Sequence, residues 1–209
     1  MAAGRSGRSR YGWRVGQLSF FSADLVPPQV ADLGGLLAAH GQVSRSARGS
    51  RLSILLAERW RAEALLAELA LREVDGELLP AEDGAVLVRT ARMPALDAMA
   101  ASWIKGAVKA VPAGLVAEPG LLRCWTIAAG RDADGGYLLG LDPRAPDTYE
   151  PLGAVLARAG LAASLVGPRA GGPGLRIAGH RRRHHLVDLV GAAPADAPPG
   201  TFPRPEHGA

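Results

Sequence analysis

The sequence predicts an α+β fold built from two halves, each with the order α-β-β-α-β-β-α. Three observations carry that prediction. Apolar residues recur at helical spacing in some segments and alternate in others, each half holds two successive hairpin signals, and the same succession reads twice along the chain. With 209 residues, 48% of them hydrophobic, the chain can bury a core without help from disulfides or metals.

The first copy is assigned to 24–114. Pro27 and Pro28 precede a helix within 24–40, where Val30, Leu33, Leu36 and Leu37 alternate with Gly34, Gly35, Ala38 and Ala39, and Gly41 stops it. A strand over 42–46, the turn Ala47-Arg48-Gly49 and a strand over 51–57 make a hairpin. An amphipathic helix over 58–73 follows, with Trp60, Ala64, Leu65, Leu69 and Leu71 as apolar positions. Strands over 74–79 and 85–90 turn through Glu82-Asp83-Gly84, and Pro94 opens a helix through Leu96, Met99 and Trp103.

The second copy is assigned to 115–192. A helix over 121–129 stops at Gly130, and Asp134-Gly135 signals a hairpin before a strand over 137–142. Asp147 is expected to cap a helix through Tyr149, Leu152, Val155, Leu156 and Ala159 that ends at Gly160. Strands over 162–166 and 175–178 flank a Gly/Pro turn, and 184–190 close with a helix. Residues 1–23 form a basic N-terminal tail, and 193–209 a disordered Pro-rich tail. Packing the small-residue faces of the two first helices together would set the sheets as a pseudo-two-fold saddle, its concave side free for a ligand.

Composition excludes several classes. The single cysteine, Cys124, rules out a disulfide framework and any multi-cysteine metal site. No apolar run reaches a membrane span of about 18 residues, and the basic N-terminus lacks the apolar centre of a secretory signal, so a cytoplasmic protein is expected. No phosphate-binding loop, dinucleotide fingerprint, nucleophile elbow or catalytic triad is found. Charge is uneven. Residues 1–60 carry eight arginines against three acids, 61–150 nine basic against fourteen acidic groups, and 151–209 seven against three. Basic ends around an acidic middle read either as a face for a polyanion or as an ordinary solvated surface.

Leu33-Gly34-Gly35-Leu36-Leu37-Ala38-Ala39-His40-Gly41 resembles the LAGLIDADG motif of homing endonucleases in spacing and character. With the duplicated order, the chain looks like a two-repeat member of that superfamily, closest to the N-terminal domain of the WhiA family of sporulation regulators. That likeness is carried by Leu122-Arg123-Cys124-Trp125-Thr126-Ile127-Ala128-Ala129-Gly130 and by LVDLVGA over 186–192, and spans about 24–192. In active relatives each motif ends in an acid, and the two carboxylates hold divalent metals that activate water. Here His40 stands at the first such position, a poor ligand for magnesium. The second motif has two registers. Ending at Gly130 places Ala129 there, with no acid in either half; ending at Gly135 places Asp134 there, with Asp132 nearby. The resemblance therefore implies no catalytic residue, or Asp134 alone, and no cofactor unless magnesium serves that nuclease alternative.

Arg45, Arg48 and Arg51 alternate across the first hairpin, the element with which this superfamily reads duplex DNA, and are candidates for phosphate contact. Arg181, Arg182 and Arg183, in the run from His180 to His185, form a second candidate cluster. The second hairpin carries Asp132 and Asp134 instead, which repel phosphate. His180 and His184 have the spacing of metal ligands, but a third, acidic ligand is not expected nearby. WhiA proteins continue into a helix-turn-helix domain, whereas this sequence runs into the Pro-rich segment, so a protein partner is expected to supply sequence recognition. The reading is a non-catalytic DNA-binding or transcription-regulatory domain. A protein-interaction module without DNA binding, and a magnesium-dependent endonuclease using Asp134, are the alternatives. No membrane partner is expected.

Overall fold

The computed structural model describes residues 22–204. The first half runs α1 (Gly34–Ala38), β1 (Gln42–Ser44), β2 (Arg51–Leu56), α2 (Arg59–Ala70), β3 (Gly76–Pro80), β4 (Val86–Thr90) and α3 (Asp97–Trp103). A small ribbon, β5 (Ile104–Lys105) with β6 (Val108–Lys109), precedes the second half. That half runs α4 (Pro119–Ala129), β7 (Gly130–Ala133), β8 (Gly136–Gly140), α5 (Tyr149–Arg158), β9 (Ala163–Val166), β10 (Gly174–Ala178) and α6 (His180–Val190). The two four-stranded sheets have the same order, β1-β2-β4-β3 and β7-β8-β10-β9, and every pairing is antiparallel.

Strand periodicity decides which face of each sheet is covered. Along β2, Leu52, Ile54 and Leu56 are buried under the helices, while Arg51, Ser53 and Leu55 point to the other, open face. Val86, Val88 and Thr90 of β4 share the covered face. In the second sheet Tyr137 pairs with Ile177 and Leu139 with Leu175, all four buried. One continuous core runs through both halves, with Trp103 and Trp125 among its largest side chains.

The halves join through α1 and α4. A Cβ on Gly35 would lie 2.2 Å from the Leu121 carbonyl oxygen and 2.6 Å from the Trp125 nitrogen, so glycine is what allows the two backbones to meet. Beside this contact the buried Arg72 pairs with Asp32 (2.9 Å) and Glu68 (2.7 Å), and Glu68 also receives Arg123 at 2.6 Å. Asp32, Glu68, Arg72 and Arg123 thus satisfy one another inside the helix layer.

Several expectations need correction. The first helix is shorter than 24–40, because Gln29 and Asp32 cap each other (the Gln29 N–H donates to Asp32 Oδ2 at 2.9 Å) and hold Val30–Leu33 as a 3₁₀ turn. Asp147 is exposed and caps nothing; a 3₁₀ turn over Pro146–Thr148 leads into α5, and Thr148 Oγ1 donates to the Ala145 carbonyl. The ribbon β5–β6 was not anticipated, its strands being too short for periodicity to register. The segment expected to be a disordered Pro-rich tail is packed as far as it is described. Phe202 is buried, the Asp132 N–H donates to the Gly200 carbonyl (2.7 Å) and the Tyr137 hydroxyl to the Thr201 carbonyl (2.9 Å). One aromatic anchor and an unpaired outer edge on β7 outweigh a composition that reads as tail. The expected N-terminal tail over 1–23 lies outside the described residues except at Ser22 and Ala23, where the Ala23 N–H donates to the Leu189 carbonyl at 2.8 Å.

Candidate nucleic-acid interface

The ends of α1 and α4, where a nuclease of this pattern would carry its metal-binding acids, are occupied by buried basic side chains. Lys109 Nζ donates to the Gly41 carbonyl at 2.7 Å and the Ala39 carbonyl at 3.4 Å, and pairs with Asp142 at 2.6 Å. Arg61 donates to the carbonyls of Ile127 (2.7 Å), Thr126 (3.4 Å) and Gly130 (2.7 Å), and pairs with Glu58. A helix C-terminus concentrates unsatisfied carbonyls and partial negative charge, so a cation is the natural partner there. Burial pushes the Lys109 pKa down, with Asp142 opposing it. For Asp142, burial works against ionisation, but hydrogen bonds from Lys109 and the Arg144 N–H prevail and hold its pKa below the ordinary value.

His40 turns its Nε2 to the Leu55 carbonyl at 2.8 Å, which fixes Nε2 as the donor. His40, Arg61, Ala129 and Gly130 line one groove of 550 Å³, which runs from Leu55 of the first sheet to Arg131 and Gly140 of the second. A divalent metal does not fit this place. Neither helix end offers a carboxylate, Glu58 and Asp142 are already held by the capping cations, and among the described residues no group of three potential ligands converges.

The second register is resolved by the turn. α4 ends at Ala129, Gly130 begins β7, and Asp134-Gly135 close the β7–β8 hairpin, with Gly135 at φ +75°. Asp134 is therefore an exposed turn residue and does not stand at the end of the helix.

The predicted arginines do not share one surface. Arg45 and Arg48 are exposed in the first hairpin, and Arg51 lies on the open face of β2. Arg92, not singled out from the sequence, braces that hairpin by donating to Ser46 Oγ (3.2 Å), Ser44 Oγ (3.3 Å) and the Gly49 carbonyl (3.4 Å). Arg181 to Arg183 begin α6 in the helix layer. Arg182 donates to the Ala178 carbonyl at 3.1 Å, and Arg183 lies 3.8 Å from Asp132, whose register opposite Tyr137 puts it on the covered side. The acid thought missing near the histidines is Asp188, 3.2 Å from His184 Nδ1, yet it and the two histidines do not form a metal group.

The face of the second sheet turned away from the helices carries two half-buried arginines, Arg131 and Arg176, on either side of the buried Leu138. Arg131 stands opposite Leu138, and Leu138 opposite Arg176. Alternation along β7 and β10 was the available signal, but each strand is too short to reveal its faces before pairing is known. The first sheet's open face also bears a leucine row, Leu55 opposite Leu87 and Leu87 opposite Leu79, with Leu55 51% exposed.

By sequence, the chain matches no protein-family profile and none of the curated proteins. By structure it resembles the homing endonuclease I-WcaI bound to its DNA recognition sequence, with 13% identity over 85% of this chain and 90% of that one, TM-score 0.53. Full-length DUF199/WhiA from Thermatoga maritima is similar over 78% of this chain, with 12% identity and a TM-score of 0.57; the match spans 55% of that longer chain. The N-terminal LAGLIDADG domain of DUF199/WhiA is similar over 78% of this chain and 82% of its own length, at 13% identity and TM-score 0.54. The fold is that of LAGLIDADG domains.

Proposed function

We propose that this chain is a non-catalytic LAGLIDADG-type DNA-binding domain with a regulatory role, its two sheets forming the saddle on which a duplex lies. The observation that carries the reading is the pair of capping cations. Where a nuclease needs carboxylates and metal, Arg61 and Lys109 satisfy the helix ends permanently, and the sheet faces turned away from the helices keep arginines. The likeness to an endonuclease bound to its DNA recognition sequence supports the DNA-binding reading.

Titrating the protein against labelled duplex at two salt concentrations, with and without magnesium, tests the reading. Retention that weakens steeply with salt, without nicking, is expected. Magnesium-dependent nicking overturns it. Absence of retention at low salt also overturns it, in favour of a protein-interaction module. The leucine row Leu55–Leu87–Leu79 is the feature that favours this second reading, because solvent-facing leucines in register suit an apolar partner better than phosphate.

A further inference from the structure

The two sheets carry matching rows on the faces turned away from the helices. In the first, Gln42, Ser53, Arg89 and Glu77 stand opposite one another in turn; in the second, Arg131, Leu138, Arg176 and Ser164 do. Because the strand order is the same, and Gln42 and Arg131 each directly follow the glycine that ends the motif, Gly41 and Gly130, Arg89 and Arg176 hold equivalent places, as do Glu77 and Ser164.

The equivalent places differ in charge. Glu77 closes on Arg89 with two hydrogen bonds, 3.0 Å from Nε and 2.8 Å from Nη2, and leaves the first row neutral. Ser164 brings no charge. Arg176 donates one N–H to the Asp134 carbonyl at 3.2 Å and leaves its buried Nε without an acceptor. Arg131, standing where the first sheet has Gln42, donates to the Gly171 carbonyl. Neither arginine meets a carboxylate among the described residues, and Asp132 lies on the opposite face. Two like charges on one face, one with an orphan donor, cost stability in the free protein. An anion that accepts from both relieves that cost.

We propose that Arg131 and Arg176 take phosphate groups of duplex DNA on the second sheet, whereas Glu77 silences the equivalent row of the first. The first half then grips phosphate from its hairpin and the adjoining end of β2, through Arg45, Arg48 and Arg51, and the second from the row that crosses β7 and β10. The duplex is held unequally by the two halves. This proposal rests on the DNA-binding reading above.

The test measures how duplex affinity depends on salt for the wild type, for Arg131→Gln with Arg176→Gln, and for Glu77→Ser. Losing two phosphate contacts should make the log–log slope shallower by roughly 1.8, and freeing Arg89 should steepen it by about 0.9. Glu77 is exposed, so Glu77→Ser leaves the fold intact and keeps the test informative even if the double variant unfolds. An unchanged slope in the double variant, with wild-type binding intact, overturns the assignment and leaves the DNA reading standing. An unchanged slope in Glu77→Ser overturns the unequal grip. No retention of duplex by the wild type overturns both.

Discussion

Arg61 links two elements that would otherwise end in unsatisfied groups. Its guanidinium answers three backbone carbonyls at the end of α4 and one carboxylate at the start of α2. Arg61→Leu removes all of these partners at once and leaves buried carbonyls bare, a loss of about 3–5 kcal/mol by analogy with broken buried pairs. Urea unfolding at neutral pH would show it as a lowered midpoint with an unchanged slope. Arg61→Lys should recover only part of the loss, because an ammonium cannot span the fork of acceptors. Cys124 gives a second check at this scale. It is fully buried, and burial first of all pushes its thiol pKa up to about 12. Alkylation by iodoacetamide should therefore be negligible in the native protein at pH 8 and rapid in denaturant. Rapid native labelling would mean that the α1–α4 contact opens.

At the level of elements, the contact between α1 and α4 depends on a missing side chain. Gly35→Ala would put a methyl carbon 2.2 Å from the Leu121 carbonyl oxygen, a rigid backbone atom. The helices must separate, and a destabilisation of about 1–3 kcal/mol is expected in chemical unfolding. This contact was legible in the sequence, since Gly34, Gly35, Ala38 and Ala39 leave one face of a helix nearly bare. The hairpins were legible too, because Gly49, Gly84 and Gly135 mark their turns, whereas the placing of β2 beside β4 was not. What could not be read was anything that depends on pairing across distance. Arg61 and Lys109 look like ordinary surface bases until α2 and the β5–β6 ribbon bring them to helix ends far along the chain. Arg176 declares its face only once it is set opposite Leu138. The C-terminal segment shows the same limit, for composition averages over a residue such as Phe202 that acts alone. Phe202→Ala should cost about 3–5 kcal/mol in the same assay. A cost near zero would restore the reading of 193–209 as a loose tail.

Across the whole molecule, the Lys109–Asp142 pair is where the first motif helix, the ribbon and the second sheet are tied together. Asp142 accepts from Lys109 (2.6 Å), Gln42 (2.9 Å) and the Arg144 N–H (3.0 Å), so one carboxylate holds β1, β6 and the loop after β8. Its pKa lies below the ordinary carboxylate value near 3.9. The unfolded chain therefore takes up the proton first as pH falls. The stabilisation is fully present above about pH 4 and is lost as pH drops through the folded-state pKa. Lys109 acts on the other limb, and with the opposite trend. Burial lowers its pKa, so the unfolded chain binds the proton more strongly just below pH 10, and stability rises with pH there rather than falling. Only the acid limb reports the clamp. Asp142→Asn should be less stable than the wild type at pH 7, and the gap should close as pH falls below 4. Because one core runs through both halves, each protein should unfold in a single transition. A gap that stays constant from pH 7 to pH 2 would show that Asp142 acts by shape rather than by charge.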